Sequence, residues 1–268
     1  MVSGIAHAAI KISPAYIDID ANKTKKDYIT SSFSVAGGKD ETVRFKAYPV
    51  FFDYDNKGNF NEIPDNNQKN SLMGKLKFFP SEFTCQNGLE QKIRITVTDL
   101  KSLPAGDSRL MLFLEDIDTK EIIIAKANGS HGGKILVKTR VGVPIYVAKG
   151  NCSRKGSLES LVLNQKGEDY NCEYKVSSSG NSKIRYNGIA YLSQGDKLIK
   201  QFDIYGKTVD SGKFVEMAQK LDIPQDQLKA GEEYTLKFVL RYQDENDKEK
   251  ILKKDITFIP NKSTPSKV

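Results

Sequence analysis

Tryptophan is absent from the 268 residues, and histidine occurs only at His7 and His131. Two histidines so far apart leave no room for a multi-histidine metal site or a relay of several imidazoles. Cysteine is scarce as well. Cys85, Cys152 and Cys172 are too few for a disulfide-rich scaffold or a four-cysteine zinc site. No apolar run approaches the ~18 residues of a membrane-spanning helix. Basic runs interleaved with stacking aromatics are also missing. Lysines alternate with acids, as in Lys23, Lys25, Lys26 and Asp27, so the net charge of +7 reads as solubility rather than nucleic-acid binding. The glycine-rich stretch Asn128-Gly129-Ser130-His131-Gly132-Gly133 lacks the Lys-Ser/Thr pair of a phosphate loop and precedes a strand, so it reads as a turn. Asp53, Asp55 and Asn59 around Gly58 lack the closing Glu of a calcium loop and read as a hairpin turn. No Ser/His/Asp or Cys/His set can be assembled. These absences speak against an enzyme, and no metal or cofactor is expected.

What the chain does have is 38% hydrophobic and 28% charged residues, the balance of a soluble protein with buried cores. Alternation with a period of two recurs almost throughout. It marks Ile10–Ile12 and Tyr16–Ile19 as one strand interrupted at Pro14, then Tyr28–Val35, Thr42–Phe51, Lys77–Pro80, Gln91–Val97 and Arg109–Asp116. Asn61–Met73 reads as a long polar loop, Phe83-Thr84 as strand, and Ile122–Ala125 as a short strand. A single long strand, Lys134–Val147, closes this half. After the polar break Ala148–Asn151 come Ser157–Leu163, Tyr170–Ser177, Lys183–Leu192, Lys197–Ile204, Tyr234–Tyr242 and Ile251–Ile259. Phe214, Met217 and Leu221 have helical spacing, which predicts one short helix over Lys213–Lys220. The fold class is therefore all-β, two immunoglobulin-like β-sandwich domains in tandem. Their expected limits are 9–147 and 148–260, with a flexible tail at 261–268.

Ala6-His7-Ala8 is a small-x-small triplet directly before the first strand, the shape of a signal-peptidase site. Residues 1–8 are read either as the remnant of an export signal or as a disordered start. Export implies an oxidising compartment, in which Cys152 and Cys172 are candidates to pair and Cys85 is left as a buried free thiol.

Three segments, in order, resemble the periplasmic chaperones of pilus and fimbria assembly. They are Phe79-Pro80-x-x-Phe83, Gln91-x-Ile93-Arg94-Ile95 after Gly88, and Leu103-Pro104-x-x-Asp107-Ser108 before the apolar strand Leu110–Leu114. The strand Lys134–Val147 stands where that family keeps the last strand of its first domain. The resemblance covers residues 9–147 and extends to 148–260 only as fold class. It implies a periplasmic protein, in an assembly that includes an outer-membrane usher, that lends this strand to a pilin-like subunit lacking one. Strand addition then supplies main-chain hydrogen bonds, and alternate side chains fill apolar pockets.

Ile135, Val137, Thr139, Val141 and Val143 share one face of the strand, and Leu136, Lys138 and Arg140 the other. Ile135 and Val137 are the expected donors; the alternative is that this face packs into the chain's own sandwich. The family also binds the subunit's terminal carboxylate through an Arg and a Lys. The matching positions here hold Pro14 and Gly142, neither of which has a side-chain charge. Lys11, Lys138 and Arg140 are the nearby substitutes, Arg140 the best of them because a guanidinium can grip a carboxylate with two bonds. The second reading of the whole chain is a non-enzymatic tandem module of the envelope, used for scaffolding or adhesion.

Overall fold

The computed structural model describes residues 10–38, 42–64, 68–86, 88–124 and 133–260. The expected signal remnant, the tail at 261–268 and the turn holding His131 lie outside these residues. The chain is all-β, with short 3-10 turns as its only helices among the described residues. It divides into two compact units. One comprises residues up to Phe52 together with Glu62–Gly150, and the other comprises Asp53–Asn61 together with everything from Asn151.

In chain order the first half contains β1 (Lys11–Ser13), β2 (Ile17–Asp20), β3 (Tyr28–Ala36), β4 (Thr42–Val50), β5 (Phe52–Tyr54) and β6 (Phe60–Glu62). There follow β7 (Leu76–Phe79), β8 (Glu82–Gln86), β9 (Glu90–Thr98), β10 (Gly106–Asp116), β11 (Lys120–Ile124), β12 (Gly133–Val137) and β13 (Arg140–Lys149). The first unit stacks a sheet of order β1-β3-β9-β7 on one of order β2-β13-β10-β4-β8. Pro14, which has no N–H to give a ladder, separates β1 from β2 as the sequence predicts. The chain uses the break to change sheets: Lys11 pairs antiparallel with Ala36, whereas Ile17 pairs parallel with Ile145.

Between the sheets Val35, Phe45, Ile93, Ile95, Leu110, Leu112, Leu114, Val143 and Ile145 are buried together. Each such side chain contributes about 1.5–3 kcal/mol over an exposed one. Strand β10 is covered on its other face too, where Met111 and Phe113 are buried. The stretch read as a polar loop reaches the core between the sheets. Its Leu72 is fully buried in the core, Leu72 N–H donates to the Arg109 carbonyl at 3.2 Å, and Arg109 N–H donates to the Asn70 carbonyl at 2.8 Å.

The second unit has β14 (Gly156–Lys166), β15 (Asp169–Ser178), β16 (Ile184–Gln194), β17 (Lys197–Val209), β18 (Phe214–Leu221), β19 (Tyr234–Gln243) and β20 (Glu249–Phe258). Its sheets have the orders β14-β15-β18 and β17-β16-β19-β20. Tyr170, Cys172, Tyr174, Tyr186, Phe238 and Leu240 form its centre, with the Tyr174 and Phe238 rings 5.3 Å apart. The expected helix over Lys213–Lys220 is not there. The segment is strand β18, paired antiparallel with β15 from Ser177↔Phe214 to Tyr170↔Leu221. Met217 and Leu221 are four residues apart, a spacing that both a helix and a strand put on one face. Val215, buried beside them, belongs only to the strand pattern.

Asp53–Asn61 is the hairpin the sequence predicts, built from β5 and β6. The Asp55 carboxylate accepts the N–H groups of Lys57 and Asn59, both at 2.8 Å, so the turn itself consumes that acid. Within the second unit this hairpin meets β18: Glu216 N–H donates to the Asn56 carbonyl at 2.6 Å, and Lys213 pairs with Asp53. Cys152 and Cys172 are not joined. Both are free thiols, Cys172 buried inside β15 and Cys152 half-buried. Cys85 is the buried free thiol expected, its Sγ 3.6 Å from the Val35 carbonyl.

Candidate functional site

The strand expected over Lys134–Val147 is divided in two. Strand β13 follows β10 along its whole length, from Gly106↔Lys149 to Glu115↔Arg140. Its other flank carries β2 only at Ile145–Ala148. Strand β12 pairs with β11 alone, Ile122↔Ile135 at its middle. Among the described residues, therefore, the flank from Gly133 to Pro144 has no strand beside it. Its unpaired backbone donors and acceptors form a template for one more strand.

The side chains change character along this edge. Ile135, Leu136 and Val137 are 46%, 65% and 38% exposed. Thr139 and Val141 are half-buried, and Val143, Ile145 and Val147 lie in the core. Self-packing thus describes this face from Val143 onward, whereas Ile135 and Val137 stand outside the sandwich. A run of exposed aliphatics on an open edge is an aggregation hazard unless a partner covers it.

The basic candidates are not equivalent. Lys11 sits on β1 in the other sheet and does not join the edge. Lys138 Nζ lies 2.8 Å from Glu115 Oε1, and Glu115 Oε2 accepts the Tyr48 hydroxyl at 2.7 Å. These two bonds, Lys138 first, hold the Glu115 carboxyl down to about 2. Burial, and then the bond to Glu115, push the Tyr48 phenol up to about 12. Arg140 donates from its NH2 to Glu62 Oε2 at 2.9 Å and lies 3.4 Å over the centre of the Phe113 ring. Sequence reasoning missed Glu62, Tyr48, Phe113 and Glu115, because each is remote in sequence from the strand it meets.

Two of the three resemblance segments also converge. Phe79 faces Arg94 across β7 and β9, and with Pro80, Phe83 and Gln91 they line one open groove. In the third, Leu103 is buried, and Lys149 Nζ donates to its carbonyl at 2.8 Å, tying the Leu-Pro turn to β13. Lys75, Asp99 and Ser102 form a hydroxyl–amine–acid cluster absent from the sequence reading. Lys75 Nζ donates to the Asp99 carboxylate at 2.7 Å, and the Ser102 hydroxyl donates to the Asp99 carbonyl at 2.9 Å, so the cluster ties β7 to the turn after β9. Among the described residues no three His, Cys, Asp or Glu side chains converge to hold a metal ion, and no helix is long and apolar enough to cross a membrane.

No family model and no curated protein matches the sequence. Among solved structures the chain is similar to the YadV chaperone, at 10% identity over 93% of this chain and 99% of that one, with a TM-score of 0.46. It is similar to the class 5 fimbriae chaperone CfaA at 13% identity, over 94% and 100% of the two chains, with a TM-score of 0.42. For the CupB2 chaperone of Pseudomonas aeruginosa the values are 9%, 91%, 99% and 0.43.

Proposed function

We propose that the protein is an exported, periplasmic chaperone-like protein, with no catalysis of its own, that binds a pilin-like subunit missing a strand. The subunit's groove receives the edge Gly133–Pro144 by strand addition. The observation that carries this reading is the division of one alternating strand. Its inner residues, from Val143, are core of the first unit, and its outer ones, Ile135 and Val137, are exposed on an unpaired edge. Backbone groups of the edge supply affinity and side chains of one face supply fit, with no bond made or broken. Ile135 and Val137 enter apolar pockets of the subunit, and Thr139 and Val141 continue the same row.

Changing Ile135 and Val137 together to Asp tests this. Two charges on an exposed hairpin leave the melting temperature within about 2 °C, yet abolish co-purification of the subunit from the native envelope. In the wild-type complex, hydrogen exchange at the backbone amides of 133–143 slows. A captured protein that leaves those amides unchanged would mark the chain as a scaffolding or adhesion module instead.

A further inference from the structure

Regular pairing along the exposed edge has a gap. It runs to Glu115↔Arg140, stops, and resumes at Lys120↔Val137. One backbone bond spans this junction, from Asp116 N–H to the Thr139 carbonyl at 2.9 Å. Beyond it the β11–β12 pair has no further strand to fix its direction among the described residues. A two-stranded ribbon of this kind is only marginally ordered by itself.

Side chains from neighbouring elements grip the junction. On its β12 side Lys138 is paired with Glu115, which is also tied to Tyr48 of β4. On its β13 side Arg140 is sandwiched between the Phe113 ring and Glu62, with the Tyr48 ring centre 5.3 Å away. A planar guanidinium that both stacks and donates is fixed in orientation as well as in charge. Gly142, with no side chain, leaves the ring of Phe113 open to it: a Cβ there would lie 3.0 Å from that ring. Arg140 and Lys138 are therefore each held by an acid of this chain.

The geometry points to Glu62 and Glu115 as positioning residues: by pinning Arg140 and Lys138 they fix where the exposed strand leaves the sheet and the direction in which Ile135 and Val137 are presented. This rests on the reading of that strand as partner-binding. It assigns Arg140 to the chain's own framework rather than to a subunit's carboxylate.

The test is hydrogen exchange of the full chain without any partner, read at the Asp116 amide. Glu62→Gln and Glu115→Gln should each speed exchange there about threefold to tenfold, the scale of one partly exposed, stacked ion pair. Amides of Val143 and Ile145 should stay as slow as before. The double change Glu62→Gln with Arg140→Gln should be no faster than Arg140→Gln alone, since both remove one pair. Asp116 exchange unaltered by Glu62→Gln and Glu115→Gln, or effects that simply add in the double change, would overturn the assignment. The readout needs no partner, so it can fail while subunit capture succeeds, and capture can fail while it succeeds.

Discussion

Gly142 faces Phe113 across β13 and β10, and a Cβ built there would lie 2.6 Å from Met111 Sδ and 3.0 Å from Met111 Cγ. Met111 and Phe113 are buried on this face, so neither can simply turn into solvent. The lysine that the family resemblance asks for at this position has no room. Gly142→Lys should cost about 1–3 kcal/mol, the usual penalty for overpacking. Denaturant unfolding measures it, and a variant as stable as the original would show that the face can open. Glu115 makes a second residue-scale prediction. Its carboxyl is lowered in the folded chain from 4.5 to about 2 by Lys138 and Tyr48. A group depressed on folding stabilises the fold above its unfolded value, and that contribution fades as pH falls through the folded value. The stability difference between the original and Glu115→Gln should therefore be full above about pH 5 and shrink steadily toward pH 2. A difference constant over that range would mean that the carboxylate is not held by these bonds.

At the scale of elements, the sequence pattern was readable wherever one face of a strand is core. Val143, Ile145 and Val147 alternate and are buried, and so do Ile93, Ile95 and Val97 on β9. Alternation does not say where a sheet stops. Ile135 and Val137 continue the same parity, yet the limit is set by β10, whose pairing with β13 ends at Glu115. The candidate strand was therefore legible and its division was not. Strand β18 failed for a different reason, because Met217 and Leu221 satisfy two periods at once and only pairing with β15 decides between them. Leu72 was hidden by polar neighbours, since one buried leucine inside a loop has no period to display. The pins were the least legible of all. Glu62 lies 78 residues from Arg140, and no local rule connects an acid after a hairpin to an arginine on a distant strand.

For the molecule as a whole, the second unit is discontinuous in sequence. Asp53–Asn61 counts with it, although 89 residues, Glu62 to Gly150, intervene before the rest begins. The hairpin covers the flank of β18 that β15 leaves free: Asn56 accepts a backbone bond from Glu216, Asp53 pairs with Lys213, and a Cβ on Gly58 would lie 3.4 Å from Val215. A fragment 151–260 contains every strand of both sheets of that unit but leaves this flank bare. An edge strand stripped of its cover loses one backbone bond, one partly buried ion pair and some apolar contact, together about 1–3 kcal/mol. For a body of this size that is about 5–15 °C in melting temperature. Joining residues 53–61 to the fragment through a flexible linker should restore the difference, and Asp53→Ala within the joined form should remove part of it again. Circular dichroism melts of the three proteins decide the matter. If the bare fragment melts where the joined one does, the hairpin is a passenger, and residues 151–260 are a complete folding unit without it.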